Sequence, residues 1–301
     1  MLSAKAKGII SIIISAFGFS LMALFVRLCD DCGGPVSSFQ KSFFRNAIAL
    51  AIAVVVFWRS RGRDAPAPTR TCPPGAGTSR PRRVWALLLL RATLGTAGIF
   101  AHFYALGHIT IAEGLTLNKS APFFTVLFAW TFLGEKANWR QLGTLALAFA
   151  GVVLIAKPGF AGAAAIPLLI GLLSGVCAGG AYACVRALRR HEISPAFIIL
   201  FFSAFSCLAS VPFMVHRFDP MTASQVLVLL GAGVGAAVGQ FGITLAYGYA
   251  APKDIAVFDY SGILFASVFG FLFFGQVPDL LSVAGFVAII LAAFVVRRVQ
   301  N

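Results

Sequence analysis

Charge is what this sequence has least of. Asp, Glu, Lys and Arg together make up 11% of its 301 residues, and only 10 of them are acids, whereas a soluble domain carries about 25% charged residues. With 59% of the chain hydrophobic, a water-soluble globule is excluded. Catalytic and metal motifs are missing as well. Of the six cysteines, Cys29 and Cys32 form a lone C-x-x-C without the further ligands of a zinc site, Cys177, Cys184 and Cys207 fall inside apolar blocks, and Cys72 lies in a basic stretch. There is no H-E-x-x-H and no G-x-S-x-G, and no paired acids fall at membrane depth. The reading that follows is a chain with no catalytic residues, no metal and no cofactor, and so not an enzyme.

What is present is a succession of apolar blocks, each about the 20 residues that cross a bilayer as a helix. They predict ten helices: Gly8 to Leu28, Val36 to Trp58, Val84 to Gly107, Ile109 to Leu133, Trp139 to Ala156, Ile166 to Leu188, Pro195 to Val215, Ala223 to Tyr249, Asp254 to Phe274 and Leu280 to Val296. A transmembrane β-barrel would need short alternating segments instead, and those are absent. Lys5 and Lys7 ahead of the first block resemble a signal peptide, but the block is too long and lacks a cleavage site, so it is read as the first span.

The net charge of +14 could suggest nucleic acid, but the basic residues sit in short loops beside apolar blocks, where they set membrane orientation. No nucleic-acid partner is expected; the partners are the lipid bilayer and a small-molecule substrate. Of the 24 Lys and Arg residues, 17 fall on one side: Lys5, Lys7, the arginines from Arg59 to Arg83, Lys136, Arg140, Arg186, Arg189, Arg190, Lys253, Arg297 and Arg298. Only Arg27, Lys41, Lys157 and Arg217 belong to the other. The positive-inside rule then predicts a multi-pass protein of the inner (cytoplasmic) membrane with both termini cytoplasmic. The long connection 59–83, rich in Pro, Gly and Arg, reads as a cytoplasmic loop carrying this signal, or as a binder of anionic lipid or a cytoplasmic partner.

The chain repeats itself. Tyr104 to Glu135 overlays Leu245 to Gln276 at a constant offset of 141, pairing Gly107 with Gly248, Glu113 with Asp254, Asn118 with Asp259, Ser120 with Ser261 and Gly134 with Gly275. At an offset of 159, Val26 and Arg27 meet Val185 and Arg186, and Ser15 meets Ser174. Two five-helix halves follow, 1–158 and 159–301. An odd number of spans per half inverts the second relative to the first, an arrangement in which two pseudo-symmetric halves enclose a midplane site and expose it alternately.

Several segments resemble the EamA-type branch of the drug/metabolite transporter superfamily over essentially the full length. They are FFRNAIAL in the second span, RATLGTAGIFAHFYALG in the third, LNKSAPFFTVLFAWTFLGEK in the fourth, GTLALAFAGVVLIAKP in the fifth and DYSGILFASVFGFLFFGQ in the ninth. The resemblance implies an all-α polytopic membrane protein of ten transmembrane helices in a 5+5 inverted-topology repeat. It further implies a central cavity lined by spans 1 to 4 and 6 to 9, and coupling to a gradient or exchange. Substrates vary across the family, so the fold alone names none.

Ionisable residues at membrane depth are costly and face a protein interior or a wet cavity. Here they are Arg45, Arg91, His102, Lys119 and Asp259. Lys119, eight residues past Ile111, is about 12 Å deep at helical rise, too deep for easy snorkelling. Arg91, seven residues past Val84, could instead reach the interface along its aliphatic stem. Arg45 matches an arginine that the family resemblance places in a structural or gating role. His102 could relay protons or bond a neighbouring carbonyl. Asn118, Tyr104, Gln240, Tyr260 and Tyr247 add hydrogen-bonding groups, Tyr247 with less weight because tyrosines near helix ends are often interfacial anchors. With Asp259 the only acid placed well inside a span, the interior is net positive, which suggests an anionic or zwitterionic metabolite, and protons are the candidate coupling ion. Lys119 and Asp259 are expected to pair, either as a switch or as a static bridge. Glycine ladders at Gly171, Gly175 and Gly179 and at Gly231, Gly235 and Gly239 read as a homodimer interface or as packing within the monomer. The rival functions are a membrane-embedded enzyme and a channel or scramblase; the missing catalytic motifs oppose the first and the inverted repeat opposes both.

Overall fold

The computed structural model describes residues 2–60, 79–106, 108–109, 111–157, 165–216 and 218–299, and every regular element among them is helical. Helices are what a bilayer demands of apolar blocks, because each backbone N–H and C=O must find its partner within its own segment. The first three spans are α1 (Ala4–Asp31), α2 (Ser38–Ser60) and α3 (Ser79–Leu106). The fourth is broken into α4 (Ile111–Asn118) and α5 (Ala121–Leu133). Spans five to eight are α6 (Trp139–Ala156), α7 (Ala165–Arg190), α8 (Pro195–His216) and α9 (Ala223–Tyr249). The ninth runs through α10 (Pro252–Ile255), a 3-10 turn (Ala256–Tyr260) and α11 (Ser261–Phe274), and the tenth is α12 (Leu280–Val299).

Eight of these spans are long and apolar enough, taken singly, to cross a membrane, and Leu280–Val296 is a shorter apolar helix. The expected count of ten is therefore approximate, and the fourth and ninth spans are not the continuous helices the apolar pattern suggested. Helix α3 also begins five residues before the expected Val84, so the basic connection shortens to 61–78, which lies outside the described residues.

The two breaks fall at matched positions. In the fourth span Pro122 sits in the first turn of α5 and cannot donate to the carbonyl four residues back, which ends α4 at Asn118. Ser120 Oγ donates to Leu117 O at 2.6 Å, and its repeat partner Ser261 donates to Phe258 O at 2.7 Å, so at both sites a hydroxyl joins the backbone amide already bonded to that carbonyl. Both spans also end alike. Gly134 and Gly275 take the left-handed conformation (φ 70° and 64°), and the amides of Glu135 and Gln276 reach back to Ala129 O and Gly270 O, each at 3.1 Å. Local geometry thus repeats across the inverted halves at the offset read from the sequence.

Packing follows the same symmetry. Helices α1, α9 and α11 form one bundle, and α7, α3 and the α4–α5 pair form its counterpart, while α2 packs on α8 and α6 on α12. At the end of the molecule where the chain starts and finishes, called here the terminus-bearing face, a single apolar cluster joins both bundles. It contains Ile12, Leu88, Val185, Leu188, Ile198, Ile243, Tyr247 and Ile255, all buried. The cluster at the opposite face, Cys29, Val36 and Leu229 with Phe44, Met221 and Val228 against it, stays on the α1–α9 side. At that face Lys157 pairs with Asp279, and this bond, with the Ser282 amide and hydroxyl, holds the Asp279 carboxyl down to about 2. A depressed carboxylate contributes stability above its ordinary range and loses it as pH falls toward the folded value.

Both glycine ladders are used inside the monomer. A Cβ on Gly179 would lie 2.5 Å from Phe124 Cβ, and one on Gly175 would lie 2.7 Å from Leu117 O and meet Ser120, so α7 presses directly on the break in the fourth span. On α9, Gly235 stands against Met22 N and Gly18 O, and Gly239 against the Phe19 ring. The homodimer reading of these ladders therefore fails, since their faces are already occupied. Gly175→Ala should lower the thermal unfolding midpoint of the detergent-solubilised protein, by an overpacking cost of about 1–3 kcal/mol. Gly143→Ala on α6, where an added Cβ meets nothing within 4 Å, should leave the midpoint unchanged or raise it.

Candidate functional site

The broken segments of the fourth and ninth spans meet. Lys119, in the turn between α4 and α5, places Nζ 3.4 Å from Asp259 Oδ2 in the 3-10 turn, so the expected pair is formed across the two halves. Both side chains are partly buried, at 24% and 13% exposed. Asn118 donates from Nδ2 to Ser174 Oγ at 3.1 Å, tying the break to α7. In the other bundle α1 is tied to the second break by Ser20 Oγ, which donates to Gly262 O at 2.7 Å. Helix breaks allow this convergence because a continuous helix would bring neither the backbone nor these side chains so close to the dividing surface.

Arg91 is the largest fully buried side chain, at 2% exposed, so the interfacial reading of it is wrong. Its stem does not run to the surface. The guanidinium stacks over Phe202 with 4.0 Å to the ring centroid, and Nη2 donates to Gln240 Oε1 at 3.1 Å, bridging α3 to α9. Gly95, one turn along α3, makes the room: a Cβ there would meet both the Arg91 guanidinium and the Phe202 ring. Arg91 Nε has no hydrogen-bond partner, and the same holds for Arg45 Nε and His102 Nδ1. His102 is within electrostatic reach of both Arg45 and Lys119, and Tyr182 of Arg45, Arg91 and Asp259, so these groups share one interior region. Tyr182 was missed from sequence because a tyrosine in an apolar helix carries no positional signal.

The remaining candidates separate. Tyr104 is 43% exposed and stacks on His108 near the end of α3, away from the charged group. Tyr260 is wholly buried beside Phe149 in an apolar cluster with Val126 and Val257, and its hydroxyl is unpartnered. Tyr247 is 1% exposed in the cluster at the terminus-bearing face, not an interfacial anchor. Nor is Asp259 the only acid inside the bundle. Glu113 in the first turn of α4 and Glu135 just past α5 are also buried. Glu135 accepts from Arg186 Nε at 2.8 Å, a buried ion pair at the terminus-bearing face, although the sequence counts Arg186 only as a loop charge. Among the described residues no cluster of metal-ligating side chains occurs, and Cys29 is buried while Cys32 is exposed, both as free thiols.

Two copies of the EamA-like transporter family profile match the chain, over residues 6–157 and 165–298. The pseudopaline exporter CntI of Pseudomonas aeruginosa is 29% identical over 298 residues, covering 98% of this chain and 97% of that protein. A riboflavin transporter of Rhizobium johnstonii is 29% identical over 193 residues, 63% of each chain. Human solute carrier family 35 member G1 is 25% identical over 299 residues, 94% of this chain and 76% of that protein. A solved crystal structure superposes with a TM-score of 0.72 over 96% of this chain and 99% of its own, at 17% identity, and so speaks to the fold alone.

The bond from Arg91 to Gln240 yields a direct test of the interior. Gln240→Leu should lower stability by about 1–3 kcal/mol, because a buried guanidinium then loses its acceptor. Gln240→Glu, which supplies a charged acceptor in nearly the same volume, should recover most of the loss in the thermal unfolding midpoint.

Proposed function

The chain belongs to the EamA-like transporter family, and we propose that it is a secondary active transporter that carries a small anionic or zwitterionic metabolite across the cytoplasmic membrane by alternating access. The observation that carries this reading is the meeting of Lys119 and Asp259 at matched breaks in the two halves, with the buried guanidinium of Arg91 and the buried Nε of Arg45 in the same interior. Three basic groups there face one nearby acid. An uncompensated charge in a water-poor interior attracts its opposite most strongly, so a carboxylate or phosphate on the substrate has a natural place. The apolar cluster that joins the bundles at one face supports a carrier over a channel, since a carrier must be sealed on one side at a time. Relatives named for exporting pseudopaline and for transporting riboflavin support the same class of activity.

Within this reading the repeat units are 1–158 and 159–301, and the terminus-bearing face is cytoplasmic. Glu192, between α7 and α8, and Val277, after α11, are exposed at opposite faces. In intact cells, single cysteines placed at these two positions in a cysteine-free background should behave oppositely. Val277→Cys should react with an impermeant maleimide and Glu192→Cys should be protected; the reverse pattern would invert the topology.

Protons are the proposed coupling ion and Asp259 their site. The Lys119–Asp259 pair opens when a proton or the substrate's own anionic group takes over one partner, and the bundles are then free to move. In proteoliposomes, Asp259→Asn should fold normally and retain substrate exchange but lose the pH dependence of net transport. Lys119→Ala should reduce transport of anionic substrates. Intact pH dependence in Asp259→Asn at normal reconstitution would remove the coupling role.

A further inference from the structure

At the terminus-bearing face the Arg186 side chain reaches from one bundle to the other, as Lys253 Nζ also does in donating to Lys136 O at 2.9 Å. Arg186, near the end of α7, gives Nε and Nη2 to Glu135 Oε1, both at 2.8 Å, and Nη1 to Tyr247 O at 3.0 Å. Glu135 belongs to the same bundle as Arg186, whereas Tyr247 belongs to α9 in the other. The acceptor is a last-turn carbonyl that its own helix leaves without an amide partner, so it is available to a cation. Glu135 is 8% exposed and the Arg186 side chain 15%. The acid therefore fixes the guanidinium plane, and the plane aims its third nitrogen across the gap.

A related pairing exists at the opposite face, exposed rather than buried and with an amide in place of the acid. At the repeat offsets, Arg27 corresponds to Arg186, Gln276 to Glu135 and Leu106 to Tyr247. With its amide oxygen toward the guanidinium, Gln276 accepts from Arg27 Nη1 at 2.9 Å and Nη2 at 3.2 Å, and the Arg27 guanidinium stands 4.1 Å from the Phe274 ring centroid. Arg27 and Gln276 lie within one bundle, α1 and the end of α11, as Arg186 and Glu135 do in the other. Where the first half uses a carboxylate the second uses an amide; both bonds have an ionised donor, but only the carboxylate adds an ionised acceptor and with it a charge–charge attraction.

We propose that Arg186, aimed by Glu135, is the latch that holds the terminus-bearing face shut through the Tyr247 carbonyl, and that Arg27, held more weakly by Gln276, is its counterpart, taking the Leu106 carbonyl when the opposite face closes. The acid-for-amide difference sets which face is shut at rest. The apolar cluster across the terminus-bearing face is the same state seen in packing. Arg186 and Glu135 are positioning residues of the transport cycle; neither is required to touch substrate. The proposal rests on alternating access between the bundles.

Spin labels at His191, after α7, and Tyr249, the last residue of α9, both exposed, report the separation of the bundles at this face in the full-length protein reconstituted in lipid. Arg186→Gln should raise the ratio of the wide to the narrow separation about tenfold, the loss of one buried charge-assisted bond. Gln276→Glu leaves the terminus-bearing face untouched and strengthens the opposite latch, so it should also widen the separation. A merely structural role for Arg186 does not produce that second effect. Arg190→Gln, which removes contacts to Leu133 O and Glu135 within one bundle, should leave the distribution as in wild type. Two separations in the wild type that neither Arg186→Gln nor Gln276→Glu redistributes would overturn the latch and leave alternating access standing. One fixed separation in every variant would overturn both.

Discussion

A hydrocarbon interior offers no water to a backbone that leaves its helix, and the architecture of this protein is arranged around the two places where the backbone does so. At Lys119–Ser120 and again through Ala256–Tyr260 the regular ladder stops. Each stop is met by a close helix approach, and a serine hydroxyl bonds the carbonyl three residues back. On α7 a glycine ladder receives the first break, and on α1 Ser20 reaches the carbonyl beside the second. If the freed carbonyls faced lipid, each would cost several kcal/mol. Turned inward, they bring a lysine and an aspartate to one point.

Much of this was legible in the sequence, and the reasons differ from residue to residue. Apolar run length shows where spans lie because burial in lipid scales with uninterrupted apolar surface, and the constant offset between Asn118 and Asp259 placed Lys119 beside Asp259 before any coordinates. The break itself was not legible. Hydropathy averages over a window, so a two-residue interruption containing Lys119 and Ser120 disappears between the apolar stretches around it, although Pro122 was a local signal for it. Arg91 was left with two open readings for a related reason. Its distance from Val84 fitted snorkelling, but α3 begins at Ser79, and a pocket made by Gly95 and Phe202 holds the guanidinium inside. The role of Glu135 was hidden because its partner Arg186 counts in the sequence only as a loop charge, and the fold alone brings the two together.

The balance of forces around the centre explains why so few charges suffice. Ion pairs in low dielectric are sensitive to the removal of either partner, yet contribute little net stability when intact. In the proposed cycle the Lys119–Asp259 pair is thus well suited to be broken and remade, while Arg186–Glu135 stays within its bundle and the rigid parts of the structure rely on close packing: α1 on α9, α3 on α7, α6 on α12. On that proposal, stability and switching are carried by different kinds of contact.

The two halves have diverged in a reciprocal manner. Where the first half has Asn118 the second has Asp259, and where the first has Glu135 the second has Gln276. Two copies of the first half joined to each other would bring two lysines to the centre with no acid between them, and two copies of the second would bring two aspartates with no base. The central ion pair exists only between unlike halves. A duplicated ancestor could be symmetric, but this chain no longer can be: its halves have become complementary parts, and neither could be replaced by a copy of the other without leaving like charges facing each other in the membrane.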